Sequence, residues 1–113
     1  MPTSDLNNYL ANANITTVVP GAPTVGAIGG WFMGGGHSQF TSMFGLGADQ
    51  ILSLEVVTAD GRFITVDSVN NKDLFWALRG GGGSKLFISL VKIRAHIPTR
   101  HLGRCYFGNP KNL

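Results

Sequence analysis

Residues 51–67, ILSLEVVTADGRFITVD, contain two β-rich runs on either side of an Asp60–Gly61 pair. In the first run Leu52, Leu54 and Val56 alternate with Ser53, Glu55 and Val57, which predicts a half-buried strand. An Asp-Gly pair between two such runs favours a tight turn, because glycine accepts the positive φ that the turn requires. The stretch therefore predicts an antiparallel hairpin, around which the other segments can be placed.

A helix is predicted directly after the hairpin, over KDLFWALR. Asn70 or Asn71 is a suitable N-terminal cap, and Asp73 lies near the positive end of the helix dipole. The helical spacing of three apolar residues predicts a core-facing side; they are Phe75, Trp76 and Leu78. Gly80 is expected to end the helix and to begin a glycine loop at 80–83.

The remaining segments complete a mixed pattern. DLNNYLAN predicts a short helix with Thr3 or Ser4 as its cap, with Leu6, Tyr9 and Leu10 on one side. SQFTSMFG predicts one helical turn that ends at Gly45. TTVVPG predicts a short strand that is stopped by Pro20–Gly21, and KLFISLVKIRAHI predicts a strand before Pro98. The predicted fold class is α+β, with glycine-rich loops, a β-hairpin and short helices.

Length and composition exclude several classes of protein. A chain of 113 residues is one small domain or a piece of a larger one, and a single cysteine excludes an internal disulfide and a CxxC-type zinc site. No run of about 18 apolar residues predicts a membrane span. The first fourteen residues lack the pattern of a secretory signal, and the localisation stays open.

The charge is distributed unevenly along the chain. Residues 1–73 carry six acidic and two basic residues, a formal charge of −4, whereas residues 74–113 carry seven basic residues and no acid, a charge of +7. A basic end is compatible with a phosphate group or a nucleic acid. It contains no nucleic-acid motif, so no nucleic-acid partner is expected. His96 and His101 are predicted to lie at the surface, and Cys105 is given no role.

Residues 29–40, GGWFMGGGHSQF, place five glycines, a tryptophan and a histidine in twelve positions. Consecutive glycines let neighbouring N–H groups point into one concavity, which binds phosphate oxygens without a side chain. His37 and Ser38 would add an imidazole and a hydroxyl. The alternative is a tight turn that packs against Trp31, and the residues alone leave both interpretations open.

Four motifs in order give the chain a resemblance to a known family. They are PTVG followed by GG, then GGGHS, then FGLGADQIL with VVTADG, and finally DLFWALRGGGGS. Together they resemble the FAD-binding domain of the berberine-bridge-enzyme-like oxidoreductases, in the vanillyl-alcohol oxidase / p-cresol methylhydroxylase superfamily. The clear match covers residues 18–84. The resemblance implies a partial PCMH-type FAD-binding domain over residues 1–98 and leaves 99–113 as an unassigned tail.

The resemblance also implies which residues contact FAD. Thr24, Val25 and Gly26 would contact the flavin–ribityl side, and the glycine-rich segment 29–38 would form a tight backbone wall around the dinucleotide. Asp49 would contribute to this wall or hold its loop. The other wall residues implied are Gly29, Gly30, Gly34, Gly35, Gly36, His37, Ser38, Leu46 and Ile51. Arg79 would pair with a phosphate or satisfy its own helix end; no catalytic or metal-binding residue is assigned.

The chain departs from the family pattern in three places. Many members carry a flavin-linked cysteine just before the PTVG proline, where this chain has Ala22, so that bond cannot form. The family's flavin-linked histidine belongs to a loop upstream of the match, and His37 belongs to a different loop. After GGGGS the family continues with phenylalanine, glycine and a valine-rich strand, whereas this chain has KLFISLV.

The intact family implies an oxidoreductase that oxidises an alcohol, sugar or natural-product substrate, with electrons passing through flavin to O₂. Its substrate domain and catalytic base would lie downstream of this match, so the isolated chain is expected to be inert, and intact members are often secreted. Two alternatives stay open from the sequence. One is a non-catalytic remnant that binds no flavin, and the other is a small nucleotide- or anion-binding module.

Overall fold

The computed structural model describes residues 1–82 and 87–97. Several sequence predictions lie outside the described residues: Gly83 of the second glycine cluster, the Lys85–Leu86 start of the last strand, the surface position of His101, and the tail 99–113. The last strand was predicted to continue to Pro98, but it ends at Ile93. The described chain contains three α-helices and three strands, which confirms the α+β class.

The predicted hairpin is confirmed. Strand β1, Ile51–Val57, pairs antiparallel with strand β2, Phe63–Asp67, from Ser53↔Asp67 to Val57↔Phe63. Gly61 has a φ of +83° in the connecting turn, which is the conformation that favours glycine. Strand β3, Phe87–Ile93, pairs antiparallel with the other edge of β1, so the sheet order is β2-β1-β3.

The buried face of β1 differs from the prediction at one residue. Leu54 and Val56 are fully buried as predicted, but Leu52 is 41% exposed and Ile51 is buried in its place. The pairing with β3 steps from Ile51↔Ile93 to Ser53↔Lys92, so two residues of β1 oppose one of β3. A bulge of this kind interrupts the alternation of buried and exposed side chains at the extra residue, which explains the exposure of Leu52.

Helix α1, Thr3–Asn12, is confirmed, but its cap and one face residue are not. The N-cap position is Pro2 and no side chain caps the helix; the Thr3 hydroxyl instead donates to the Val25 carbonyl at 2.7 Å. Tyr9 is 68% exposed, because the buried stripe is centred on Thr3, Leu6 and Leu10 and Tyr9 lies about 90° away around the helix.

Helices α2, Thr41–Phe44, and α3, Lys72–Leu78, are also confirmed. Asn71 occupies the N-cap of α3, but its amide donates to the Thr65 carbonyl and does not cap the helix. Phe75 and Leu78 enter the core, whereas the prediction for Trp76 is wrong, since it is 76% exposed. A seven-residue helix buries one narrow side, and the Phe75–Leu78 pair occupies it.

The prediction of a strand over TTVVPG is wrong. Within the described residues this segment makes one isolated bridge, Thr16↔His96, with N–H···O distances of 2.8 and 2.7 Å. Val18 and Val19 are fully buried nonetheless. Burial accounts for the apolar character of the segment, because an apolar run of this length fits a buried extended segment as well as a strand.

Candidate functional site

The first glycine loop, Gly34–Gly36, is fixed by backbone hydrogen bonds to the turn that precedes β1. The Gly47 N–H donates to the Gly36 carbonyl and the Ala48 N–H donates to the Gly35 carbonyl, both at 2.8 Å. At its other end the Gly34 N–H donates to the Gly30 carbonyl at 2.9 Å. The loop is therefore held at both ends by main-chain groups and not by side chains.

The second glycine loop, Gly80–Gly82, is joined to the first. The Gly82 N–H donates to the Met33 carbonyl at 2.9 Å, directly before Gly34 in the chain. Gly80 and Gly82 have φ values of +111° and +84°. Two glycine clusters that lie almost fifty residues apart in sequence thus meet at the end of the Trp31–Met33 segment.

Trp31 explains two of the glycines by packing. A Cβ built on Gly36 would lie 2.9 Å from two atoms of the Trp31 ring, and a Cβ on Gly47 would also overlap that ring. Trp31 itself is half-buried and makes an edge-to-face contact with Phe32, with ring centroids 5.0 Å apart. The interpretation of the loop as a tight turn against Trp31 is therefore correct for Gly36.

Gly29 and Gly35 have no such packing reason. Their φ values are +108° and +105°, and a Cβ on either residue would have no heavy atom within 4 Å. The backbone is thus held in a conformation that favours glycine, beside open space. This arrangement fits a wall that a ligand approaches closely, because a side chain at either position would occupy the space a ligand needs. Gly80 and Gly82 of the second glycine loop share both features, so the backbone of the two glycine loops leaves room for a bound dinucleotide.

The PTVG segment is exposed and is fixed from behind by α1. The Val25 carbonyl accepts hydrogen bonds from the Thr3 N–H at 2.9 Å and from the Thr3 hydroxyl at 2.7 Å. Thr24 and Gly26 are exposed, and Gly26 forms an isolated bridge with Pro2. The predicted flavin-side residues therefore lie on an accessible surface with a rigid support.

The two polar residues after the first glycine loop have different environments. His37 is exposed, whereas Ser38 is only 5% exposed. The Ser38 N–H donates to the Thr41 hydroxyl at 2.9 Å, and the Ser38 hydroxyl accepts from the Phe40 N–H at 3.5 Å. Ser38 thus organises the start of α2.

Leu46, Asp49 and Ile51 are the residues of the predicted wall that follow the first glycine loop in the sequence. The Asp49 carboxylate accepts a hydrogen bond from the Leu46 N–H at 2.8 Å, which is the loop-holding role that the sequence allowed. The Leu46 side chain is 39% exposed. Ile51 is 3% exposed and belongs to the core, so its side chain supports the wall from behind.

Gln50 and His96 form a polar pair that the sequence did not predict. Gln50 is fully buried, and its Nε2 donates to the carbonyls of Phe44 at 2.7 Å and Leu46 at 3.3 Å. Its Oε1 lies 3.0 Å from Nε2 of His96. The surface position predicted for His96 is wrong: the ring is half-buried and stacks on Phe44 with centroids 4.1 Å apart. No local sequence pattern indicates a contact across 46 residues.

Burial lowers the pKa of His96 below its ordinary value of 6.5, and the nearby Arg94 charge lowers this pKa further. The unfolded chain therefore takes up a proton at this residue at a higher pH than the folded chain does. We expect the free energy of unfolding to decrease as the pH falls through about 6.5 and to stop decreasing, for this residue, below the lowered pKa. Thermal unfolding of the wild-type chain and of His96→Phe between pH 8 and pH 5 tests this. An identical pH dependence in both proteins would contradict it.

Arg79 lies between α3 and the second glycine loop. Its guanidinium stacks over the Phe75 ring at 4.4 Å, and its buried Nε has no hydrogen-bond acceptor in the part of the chain that the structure describes. This geometry favours neither of the two roles given for Arg79 above, pairing with a phosphate and satisfying the end of its own helix. Pairing with a phosphate stays a prediction.

Other types of site are not found in residues 1–82 and 87–97. No group of three or more His, Cys, Asp or Glu side chains in these ranges could hold a metal ion. Among the same residues, no helix is long and apolar enough to cross a membrane.

Comparisons with known proteins identify the family. Residues 1–67 match the family described as FAD binding domain. The chain is 43% identical over 103 residues to the FAD-linked oxidoreductase ffsJ of Aspergillus flavipes, covering 90% of this chain and 17% of that protein.

Solved structures agree with the sequence relatives. The VAO-type flavoprotein MtVAO713 from Myceliophthora thermophila C1 superposes with a TM-score of 0.80 at 42% identity, over 84% of this chain and 17% of that one. Glucooligosaccharide oxidase from Acremonium strictum gives a TM-score of 0.79 at 33% identity, over 83% of this chain and 20% of that one. The chain thus spans about a fifth of the length of these relatives. It belongs to the FAD binding domain family and forms part of the FAD-binding domain of VAO-type flavin oxidoreductases.

Proposed function

We propose that residues 1–98 supply one wall of the FAD site in a flavin-dependent oxidoreductase that acts on an alcohol, sugar or natural-product substrate and passes electrons to O₂. The observation that carries the proposal is the pair of open glycines, Gly29 and Gly35, which have positive φ and no packing neighbour. The intact oxidoreductase, its substrate and its electron acceptor are inferred from the family, since the chain spans a fifth of its relatives.

The wall acts mainly through its main chain. The N–H groups of Gly34 and Gly35 already donate to the carbonyls of Gly30 and Phe32, so the first glycine loop is proposed to act by letting anionic oxygens approach its backbone closely with no side chain in between. The hydrogen bonds from Gly47 and Ala48 keep that backbone in place. Thr24, Val25 and Gly26 are proposed to contact the flavin–ribityl side. Bound FAD would supply hydride acceptance, which no side chain of the described residues provides.

The remaining wall residues are proposed to surround the dinucleotide and to exclude water from it. The Asp49 carboxylate holds the Leu46 loop by accepting a hydrogen bond from the Leu46 N–H, and Ile51 supports the turn from the core. The full set proposed is Gly29, Gly30, Gly34, Gly35, Gly36, His37, Ser38, Leu46, Asp49 and Ile51. Because Trp31 packs against Gly36, the Trp31 ring also serves as a fluorescent reporter close to the wall.

The substrate class is proposed from the relatives. One of them is a glucooligosaccharide oxidase, which supports a sugar among the candidate substrates and an oxidase as the class of enzyme. The same relative has been described with a 6-S-cysteinyl, 8α-N1-histidyl FAD. Ala22, at the position that the family resemblance gives to a flavin-linked cysteine, is exposed and has no nucleophile, so we propose that no cysteinyl bond forms here.

FAD binding is tested with a variant that isolates Trp31. Trp76 is 76% exposed and lies on α3, so Trp76→Phe leaves Trp31 as the only tryptophan. We expect FAD to quench Trp31 fluorescence saturably, and to quench much less in Trp31→Phe, which keeps Trp76. Purified wild-type chain should also show flavin absorbance. A colourless chain with no saturable quenching would overturn the proposal.

The 113-residue chain is expected to be inert as an enzyme. A reacting group must be held about 3–3.5 Å from its partner, and the family's substrate domain and catalytic base lie downstream of the matched region. We expect no O₂ consumption when the purified chain, with FAD added, is given alcohols or glucooligosaccharides. Glucooligosaccharide oxidase measured under the same conditions serves as the control. Turnover by the chain itself would contradict this expectation.

A further inference from the structure

Gln50 connects three segments of the chain at one buried point. Its side-chain amide donates to the carbonyls of Phe44 and Leu46, in the turn that carries part of the proposed wall. Its main-chain carbonyl accepts from the Arg94 N–H at 2.7 Å, at the end of β3. Its Oε1 contacts His96, whose backbone pairs with Thr16.

The hydrogen-bond roles in this cluster follow from chemistry. The amide nitrogen of Gln50 faces two carbonyls and must donate, so Oε1 is the acceptor for His96. Nε2 of His96 therefore carries the proton in the neutral ring. The ring is held in this orientation by stacking on Phe44, the first residue of the 44–48 turn.

The same turn holds the first glycine loop. The Gln50 N–H donates to the Gly47 carbonyl at 3.0 Å, and the N–H groups of Gly47 and Ala48 donate to Gly36 and Gly35. Hydrogen bonds thus run from His96 through Gln50 and Gly47 to the Gly36 carbonyl, and Ala48, the residue after Gly47, holds the Gly35 carbonyl. We propose that Gln50, oriented by His96, is a positioning residue that fixes the 44–48 turn and, through it, the FAD wall; this inference rests on the proposed function.

Hydrogen exchange of the chain without flavin tests the positioning role. Gln50→Leu removes the amide but keeps an apolar side chain in the site. We expect protection of the Gly47 and Ala48 amides to fall about tenfold or more relative to protection of the Leu54 amide in the centre of β1. The reason is that local opening of the turn in the variant no longer has to break the hydrogen bonds of the Gln50 side chain. The ratio to Leu54 removes the part of the effect that comes from global unfolding.

Thr17→Val is the matched control. The Thr17 hydroxyl is buried and donates to the Arg94 carbonyl at 2.6 Å, and no residue of the 44–48 turn takes part in this hydrogen bond. The Thr17→Val substitution therefore removes one buried hydrogen bond near Gln50 and leaves the hydrogen bonds of the 44–48 turn unchanged. We expect Thr17→Val to lower the melting temperature while the Gly47 and Ala48 ratios stay within about twofold of wild type. Equal loss in both variants would overturn the inference, since Gln50 would then be merely structural.

His96→Phe gives an answer if Gln50→Leu does not fold. Phenylalanine keeps the stacking on Phe44 and loses only the hydrogen-bond donor. In His96→Phe we expect the protection of the Gly47 and Ala48 amides, relative to Leu54, to fall by a smaller factor of about threefold. His96→Gln restores a hydrogen-bond donor and is expected to recover part of this protection. Unchanged ratios in His96→Phe would show that His96 does not orient Gln50.

Flavin affinity separates failure of this inference from failure of the proposed function. In an intact flavoprotein that carries this segment, we expect Gln50→Leu to weaken FAD binding about tenfold or more and Thr17→Val to change it less than twofold. If the wild-type protein binds no FAD, the proposed function fails while the exchange experiment still decides the role of Gln50. If FAD binds equally well to wild type and Gln50→Leu, the positioning role fails and the proposed function stands.

Discussion

Replacing Gly35 with valine is expected to abolish FAD binding in an intact flavoprotein that carries this segment, while the protein still folds. Gly35 has a φ of +105° and open space where a Cβ would lie. A β-branched side chain there would enter the space proposed for the cofactor and would oppose the backbone conformation. Flavin absorbance per folded protein and an FAD titration measure the loss.

Gly61→Val is the matched control for backbone strain. Gly61 has a φ of +83° and also has open space around its Cβ position, but it lies in the hairpin turn. Both substitutions are expected to cost about 1–3 kcal/mol from strain in the backbone. Only Gly35→Val should lose flavin. A Gly35→Val protein that is less stable but binds FAD stoichiometrically would contradict the wall and favour a simple turn.

Gly36→Ala distinguishes packing from ligand contact within the same loop. A Cβ at Gly36 would lie 2.9 Å from the Trp31 ring, so this substitution is expected to displace the ring and to shift the fluorescence maximum of Trp31 in the Trp76→Phe background. Gly35→Ala, which meets no atom within 4 Å, should leave that maximum unchanged in the absence of FAD. The opposite pattern would show that the two glycines have been assigned the wrong roles.

Replacing Phe32 with alanine is expected to give the largest loss of stability among these variants, about 3–5 kcal/mol. Phe32 is fully buried in the main core, and its ring contacts Trp31 edge to face. Removing the ring leaves a cavity below the segment that joins the two glycine loops. Urea unfolding followed by far-UV circular dichroism measures the change in free energy.

A small domain has only about 5–15 kcal/mol of total stability, so Phe32→Ala is expected to lose a large fraction of it. Phe32→Leu refills much of the volume and should cost about 1–2 kcal/mol, which keeps the effect measurable in a folded protein. Phe63→Ala is the control, because Phe63 is 60% exposed on β2. A loss at Phe63 equal to that at Phe32 would contradict the location of the core.

The hairpin was predictable because its determinants are local. Alternation over Ile51–Val57 and the Asp60–Gly61 turn specify both strands and their connection within seventeen residues. Helix α3 was predictable for the same reason, and so was the helical turn that ends at Gly45. The family resemblance was predictable because its four motifs occur in a fixed order.

Two of the errors concern which apolar side chains of an element are buried. Leu52 is turned outward by a bulge against β3, which lies more than thirty residues further along the chain. Trp76 is exposed because the narrow buried side of α3 is occupied by Phe75 and Leu78. Hydrophobicity alone does not distinguish these cases, since many apolar side chains remain exposed in folded proteins.

The sequence by itself determined the α+β class, the hairpin and the membership of the glycine motifs in an FAD-binding family, because these depend on local patterns and on the order of motifs. Only the tertiary structure decided what each glycine does. Gly36 accommodates the Trp31 ring, whereas Gly35 faces open space. It also brought Gln50 and His96 together across 46 residues. The physical reason is that a Cβ clash or a buried hydrogen bond depends on which distant atoms are adjacent, and adjacency is set when the chain packs.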